Sequence, residues 1–263
     1  MPEARAAAGA PLIQIVTCAK SSERRLPEAT ALLGALGRDV EVDVVNGYVA
    51  EDGIIDTLYD PALNGRRAKR PISRTEIAVY ASHRLAWRRL LDGGHAAALV
   101  FEDDFGFSDP RCVAELIERR DEVLAGGCDI VKLFDFRKNG PNAPAFSRRV
   151  GGLELVKWRA PTAGMVGYLI SRAGAEKFLS RERIFRQIDE DTKYFWELDL
   201  DIWSVPGNPV IERSGELGGS VVGAERESMK IRRLKRSIWG NLLTADRKIR
   251  TRYHLMRERM RQG

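Results

Sequence analysis

Three consecutive carboxylates, Glu102, Asp103 and Asp104, directly follow an apolar run at 96–101. A continuous apolar run of this length predicts a buried strand that is covered on both faces. Ligands of open α/β sheets bind just beyond the carboxyl ends of such strands. Three neighbouring carboxylates repel one another and are costly to bury unpaired, whereas a divalent cation such as Mn²⁺ or Mg²⁺ binds them together with substrate phosphates. The triplet therefore predicts a metal–diphosphate site at the end of a central strand. The alternative is a solvated acidic loop.

Three other places in the sequence carry groups that could take part in chemistry. Asp189 and Asp191 stand at the start of a short predicted helix, where carboxylates are also stabilised by the helix dipole. Lys20 and Arg24 lie in a polar loop after the first strand, a position that often holds a nucleotide but that equally suits a solvated helix start. His83 lies within a predicted helix, where a lone histidine is more often packed than a ligand.

The elements that must position these groups alternate between strands and helices, which indicates an α/β layer fold with right-handed crossovers. The apolar patterns predict strands at 11–17, 40–45, 96–101, 129–134, 153–156, 164–170 and 198–205. They predict helices at 27–37, 75–91, 112–125, from 171 onward and at 188–196. We expect the Asn-, Pro- and Gly-rich residues 137–152 to form a long loop.

Length and composition indicate one globular domain with a C-terminal appendage. The chain has 263 residues, 44% of them hydrophobic, which is enough for one large core. No apolar run approaches the roughly 18 residues of a membrane span, and the first ten residues are too weakly apolar for a signal peptide. Three widely spaced cysteines suggest neither a disulfide framework nor a Cys-rich metal site. We therefore expect a cytoplasmic protein, peripheral on the inner face of the membrane if its tail binds there.

The tail differs from the body in charge. Residues 225–263 contain 13 lysines and arginines against four acids, whereas residues 11–224, the predicted catalytic domain, are mildly acidic. Apolar residues recur in the tail at steps of three and four, which predicts a basic amphipathic helix. They are Ile231, Leu234, Ile238, Leu242, Ala245, Ile249, Tyr253, Met256 and Met260. This stripe could bind an anionic membrane surface, the body of the protein or a second subunit.

A series of motifs resembles one known family. In order they are the strand and arginine-bearing loop 15–24, Asn46-Gly47, the helix from Glu76 to Ser82-His83, the strand ending in Glu102-Asp103-Asp104, the unit Gly164–Ala175, Ile188-Asp189 and Val205-Pro206. Together they are similar to glycosyltransferase family 25, the bacterial lipopolysaccharide-core glycosyltransferases related to collagen galactosyltransferases. The resemblance extends from about Ile13 to Ser220, about four-fifths of the chain.

The resemblance implies a GT-A-like fold, in which a mixed, mainly parallel sheet is flanked by helices. It also implies inverting transfer of a hexose, galactose or glucose, from a UDP-sugar to a saccharide or lipid-linked saccharide. The acceptor would be lipopolysaccharide core or another cell-surface glycan. A divalent cation, Mn²⁺ or Mg²⁺, would neutralise charge on the departing diphosphate.

Within that framework each candidate residue has an expected role. Asp104 would bind the metal directly, with Glu102 as a second ligand. Glu102 and Asp103 would orient metal-bound water or contact the ribose and the donor sugar. Asp189 or Asp191 would be the general base that deprotonates the acceptor hydroxyl group. The residues facing or supporting the donor pocket would be Lys20, Arg24 and His83, the histidine together with Ser82 and Glu76.

Two other classes of protein remain open. A metal-dependent phosphohydrolase or nucleotidyltransferase would also use clustered carboxylates, but it would act on the phosphate without an acceptor sugar. A non-enzymatic protein that binds a membrane surface or nucleic acid through its tail would keep its binding after loss of the acidic triplet. We do not expect nucleic acid as a partner, because the tail has too few aromatic residues for a stacking platform.

Overall fold

The computed structural model describes residues 11–37, 40–136, 142–217 and 237–262. Its helices are α1 Ser22–Gly34, α2 Ile54–Leu58, α3 Pro61–Arg67, α4 Arg74–Asp92, α5 Pro110–Glu118, α6 Arg120–Ala125, α7 Arg172–Leu179, α8 Ile188–Asp191 and α9 Ser237–Gln262, with a 3₁₀ turn at Thr192–Glu197. The strands are β1 Leu12–Thr17, β2 Glu41–Asn46, β3 Ala97–Glu102, β4 Phe105–Phe107, β5 Ile130–Lys132, β6 Pro144–Val150, β7 Leu153–Trp158, β8 Gly167–Ser171, β9 Ile202–Ser204 and β10 Val210–Glu212.

Eight strands form one sheet in the order β2-β1-β3-β8-β5-β9-β7-β6. β8 and β7 are antiparallel to their neighbours, so the other six strands run in one direction. β4 and β10 form a separate antiparallel pair. The predicted GT-A-like architecture, a mixed and mainly parallel sheet flanked by helices, is confirmed.

Strand β3 lies in the interior of this sheet and is buried on both faces. Ala98 and Val100 point into a core that α4 and α7 cover, whereas Leu99 and Phe101 point into a second core under α1 and α5. All four side chains are at most 1% exposed. Alternating side chains of a strand face opposite sides, so a strand between two helical layers must be apolar at every position. The prediction of a doubly covered strand before the acidic triplet is confirmed.

Several predicted boundaries differ from the structure. Residues 144–150, expected within a loop, form β6, which pairs with β7 as an antiparallel hairpin. Its turn contains Gly151 at a φ of 60°. The signal was missed because β6 is a polar edge strand, where one face meets solvent. Helix α1 starts at Ser22, five residues before the predicted start, and includes Pro27.

The predicted division between 224 and 225 lies outside the described residues. None of the helices in the described part of the chain combines the length and hydropathy needed to cross a bilayer.

Candidate functional site

The parallel pairing of β1 with β3 creates the site. Val16 is paired with Glu102, so the loop after β1 and the acidic triplet leave the sheet at the same edge. A cleft of about 240 Å³ opens there. Of the predicted site residues, eight line it: Lys20, Glu76, Ser82, His83, Glu102, Asp103, Asp104 and Asp189. Arg24 and Asp191 do not.

Asp103 ties the loop after β1 to the end of β3. Its Oδ2 accepts hydrogen bonds from Thr17 Oγ1 at 2.6 Å and Ser21 Oγ at 2.5 Å, and its Oδ1 accepts from Arg25 Nη1 at 3.0 Å. The side chain is buried. Both carboxylate oxygens of Asp103 therefore accept hydrogen bonds from the protein, and these bonds hold the loop after β1 in place at the cleft.

Asp104, unlike Asp103, has a carboxylate oxygen that accepts no hydrogen bond from the described part of the chain and could bind a metal ion. Its Oδ2 accepts from Arg25 Nη1 at 3.1 Å, while its buried Oδ1 has no hydrogen-bond partner among the described residues. Burial raises the pKa of Asp104 to about 7, and the negative charge of Glu102 adds to the rise against the opposing effect of Arg25. A buried oxygen without a donor, next to a second carboxylate, is suited to a cation.

The donor set fits a metal that the substrate helps to bind. Among the described residues, no group of three or more His, Cys, Asp or Glu side chains is arranged to hold a metal ion. Two carboxylates, Glu102 and Asp104, nevertheless face the cleft. Mg²⁺ in particular is commonly held by one or two carboxylates together with substrate phosphates and water. The site therefore suits a cation that binds with a diphosphate.

Glu102 is positioned by a buried chain of hydrogen bonds. Trp87 Nε1 donates to Tyr168 Oη at 2.9 Å, Tyr168 Oη lies 2.8 Å from His83 Nδ1, and His83 Nε2 lies 3.3 Å from Glu102 Oε1. With the Tyr168 hydroxyl group accepting from Trp87 and donating to Nδ1, the histidine hydrogen would lie on Nε2 and face Glu102. His83 is completely buried. This geometry agrees with the expected supporting role of His83.

The preceding residue, Ser82, joins two of the sequence motifs. Ser82 Oγ accepts from the Tyr48 backbone N–H at 2.8 Å. A Cβ atom at Gly47 would lie 2.2 Å from Ser82 Oγ, so only glycine permits this approach. This contact places Tyr48, which follows Asn46-Gly47, beside Ser82 and His83 in the lining of the cleft.

The two candidate bases lie in different environments. The Asp191 side chain is fully buried, 3.0 Å from Arg186 Nη1 and 3.6 Å from Arg181 Nε, and it accepts from Tyr80 Oη at 2.8 Å. Burial raises the pKa of Asp191, against the opposing effect of both arginines. Asp189 is half-buried, lines the cleft and interacts electrostatically with Lys132. Only Asp189 of the pair is placed to meet a substrate.

Sequence reasoning missed two residues of the site. Arg25, not Arg24, is buried against Asp103 and Asp104. The missed signal is the spacing of Arg25, Ala29 and Leu33, which places the arginine on the buried face of α1. Glu212 lines the cleft because the Arg213 N–H donates to the Asp104 carbonyl oxygen at 2.8 Å. The sequence contains no local signal for that long-range contact.

A second cavity, about 380 Å³, lies next to the first. One turn of backbone separates them, because Thr192 lines the second cavity while its Oγ1 donates to the carbonyl oxygen of Asp189 at 2.8 Å. The second cavity lies between α9 and the 3₁₀ turn and is lined by both aromatic and basic side chains, among them Lys157, Trp158, Phe195, Trp196, His254 and Arg257.

The buried charge at Asp104 has a measurable consequence for stability. Between the ordinary pKa of 3.8 and the folded value of about 7, the folded protein binds one more proton than the unfolded chain. Its free energy of unfolding therefore falls as the pH rises through that window and levels off above it. We expect Asp104→Asn to raise the melting temperature in EDTA by several degrees relative to wild type at pH 8, and by much less at pH 4. A difference that does not change with pH would contradict this result.

Comparison with known proteins identifies one family, by a sequence model and by individual relatives. The sequence model described as "Glycosyltransferase family 25 (LPS biosynthesis protein)" matches residues 15–192. The chain is 24% identical over 209 residues to "Probable inactive glycosyltransferase 25 family member 3" of Bos taurus, covering 72% of this chain and 34% of that protein. It is 28% identical over 162 residues to "Glycosyltransferase 25 family member" of Aedes aegypti, covering 59% of this chain and 26% of that protein. The chain thus spans about a third or less of the length of these relatives.

Among solved structures, "Crystal Structure of A197 from STIV" is similar with a TM-score of 0.40 and 12% identity, covering 78% of this chain and 94% of that one.

Proposed function

We infer the function from one premise, that this chain belongs to glycosyltransferase family 25. We propose that it moves a hexose, galactose or glucose, from a UDP-sugar to a saccharide hydroxyl group with inversion at the anomeric carbon. The acceptor would be lipopolysaccharide core or another cell-surface glycan. One observation carries the proposal: the Asp104 Oδ1 atom is buried without a hydrogen-bond partner beside Glu102 in the cleft at the end of β3.

Glu102 and Asp104 are the residues that would hold Mn²⁺ or Mg²⁺. When bound, the ion would act as a Lewis acid that neutralises charge developing on the diphosphate leaving group. Arg25 balances part of the negative charge of the triplet from below the cleft. The buried chain from Trp87 through His83 fixes the orientation of Glu102. These contacts hold the side chains of Glu102 and Asp104 in place before a substrate arrives, so the two side chains need to move less when the metal and the substrate bind.

Lys20 lies at the rim of the same cleft, where it would approach the nucleotide. Its side chain is 47% exposed and forms an ion pair with Glu51 at 2.5 Å. Exchange of Glu51 for a phosphate group would bring the positive charge of Lys20 to the nucleotide.

Asp189 is the proposed general base. Its carboxylate would take the proton from the acceptor hydroxyl group while that oxygen bonds to the anomeric carbon. The bond from this carbon to the diphosphate oxygen breaks at the same time, and its electron pair leaves with UDP. Lys132, a buried cation that forms an ion pair with Asp135 at 2.6 Å, interacts electrostatically with Asp189.

The acceptor would occupy the second cavity, one turn of backbone from Asp189. Aromatic side chains with a few convergent polar groups are typical of small-molecule sites. Trp158, Phe195 and Trp196 supply the apolar surface, and charged side chains of both signs, among them Asp199 and Arg257, supply polar groups. This lining suits a saccharide, whose rings can pack on the aromatic side chains and whose hydroxyl groups can bond to the charged ones.

Calorimetric titration of UDP tests the donor site. We expect wild type to bind UDP with Mn²⁺ present and at least tenfold more weakly in EDTA. Asp104→Asn should lose the dependence on Mn²⁺, whereas Asp121→Asn, at an exposed carboxylate, should behave like wild type. Folded wild type that binds no UDP under either condition would overturn the proposal.

A turnover assay separates the alternatives. Release of UDP from UDP-galactose or UDP-glucose only with a saccharide acceptor supports transfer. Release of UMP and sugar 1-phosphate in place of UDP would indicate a phosphohydrolase instead, because that reaction breaks a bond of the diphosphate and not the bond to the anomeric carbon. Binding of UDP without turnover would place this chain with the relatives whose names call them inactive.

A further inference from the structure

Helix α9 contacts the body along one face. Thr251 and Leu255 are buried, the His254 ring stacks on Trp196 with 5.6 Å between centroids, and Glu258 forms an ion pair with Lys157. These contacts recur at the three- and four-residue spacing of one helical face. They fix which side of the helix points away from the protein.

The side that points away is the apolar stripe. Seven of the eleven exposed large hydrophobic side chains among the described residues lie on α9. Six belong to the stripe, namely Ile238, Leu242, Ile249, Tyr253, Met256 and Met260, whereas Trp239 donates to the carbonyl oxygen of Arg66 on the body. At about 100° per residue, Ile249 lies about 160° and Met256 about 140° around the helix from the buried Thr251. Ile249 is 68% exposed. Of the three alternatives for this stripe, packing on the body therefore does not hold for the described part of the helix. Ile231 and Leu234 lie outside the described residues.

Both edges of the stripe carry exposed cations. The same helical rotation places Lys248, Arg252 and Arg259 along one edge and Arg250, Arg257 and Arg261 along the other. The acidic residue beside the stripe, Asp246, is paired with Arg250 at 3.0 Å. The exposed face of α9 is thus an apolar band between two basic rows.

We propose that this face of α9 binds the surface of an anionic lipid bilayer. The apolar side chains would enter the boundary between headgroups and acyl chains, and the flanking cations would contact anionic headgroups. A second copy suits the face poorly, because apposed stripes would bring basic rows together. A nucleic acid would meet the cations but leave the apolar band without a partner. The inference uses no donor-site residue, so it stands or fails separately from the proposed transferase activity.

Vesicle flotation with the full chain tests this surface. We expect wild type to bind vesicles of phosphatidylcholine with about one-third phosphatidylglycerol, and to bind pure phosphatidylcholine vesicles at least tenfold more weakly. Raising the salt concentration should weaken binding, because it screens the charges. Removing one cation, as in Arg252→Gln, should weaken it roughly fivefold.

A matched pair of variants assigns the binding to the stripe. Ile249→Asp/Met256→Asp changes two exposed positions and should abolish flotation while the melting temperature and the UDP titration stay unchanged. Ile54→Asp, at an exposed position on the body, should bind vesicles like wild type.

Three results would overturn the proposal. One is failure of folded wild type to bind anionic vesicles, and another is binding of the stripe variant that is as strong as that of wild type. Light scattering could also show a wild-type dimer that the stripe variant dissociates, which would assign the face to a second copy.

Discussion

Asp191→Asn is expected to lower the free energy of unfolding by about 3 kcal/mol, whereas Asp189→Asn, two residues earlier, should leave it unchanged. Asp191 is fully buried between Arg181 and Arg186. Removing one partner of a buried ion pair leaves an uncompensated charge, which costs about 3–5 kcal/mol. The lower end of this range applies to Asp191→Asn because Glu197 still forms ion pairs with both arginines, at 2.8 Å from Arg181 and 2.5 Å from Arg186. Urea denaturation of both variants measures the difference.

Activity should show the opposite pattern. Asp189→Asn removes the proposed base and should reduce kcat by about 10²–10⁴-fold, the contribution typical of general base catalysis. Asp191→Asn should keep a much larger share of kcat at a temperature where it remains folded. If Asp191→Asn is as stable as wild type and inactive, the assignment of the two carboxylates must be reversed.

Arg25→Met is expected to destabilise the protein by about 3–5 kcal/mol at pH 8 in EDTA, while Arg24→Met stays within about 0.5 kcal/mol of wild type. Arg25 is the cation that contacts both Asp103 and Asp104 beneath the cleft. Arg24 is an exposed neighbour on the same helix and has the same side chain. The pair therefore separates the effect of position from the effect of losing an arginine.

The loss of stability caused by Arg25→Met should depend on pH. Arg25 opposes the rise in the pKa of Asp104, so without it this pKa exceeds its value of about 7. In the folded variant Asp104 then keeps its proton over a wider pH range than in wild type. The free energy of unfolding of the variant therefore falls further as the pH rises. Urea midpoints should differ from wild type more at pH 8 than at pH 5. Weaker UDP binding by well-folded Arg24→Met would instead support the original prediction for that residue.

The sequence alone determined the features that depend on local pattern. The apolar run before Glu102 had to be a strand covered on both faces, because each of its side chains is apolar. The three- and four-residue spacing in the tail had to be an amphipathic helix. The ordered motifs, from the loop after β1 to Ile188-Asp189, were enough to indicate the family, which the match over residues 15–192 shows.

The tertiary structure decided which of two neighbouring residues faces the cleft. A helix turns by about 100° per residue, so Arg24 and Arg25 point in different directions, as do Asp189 and Asp191. The core fixes the rotation of each helix: Ala29 and Leu33 turn Arg25 inward.

The same reason holds for the tail. Its sequence contains both an apolar stripe and a face with Thr251, Leu255 and Glu258, and the pattern left open whether the stripe binds a membrane surface, the body or a second subunit. The ion pair with Lys157 and the stacking on Trp196 selected the other face. Their partners lie about 60 or more residues away in the chain, and contacts over such separations exist only in the folded protein.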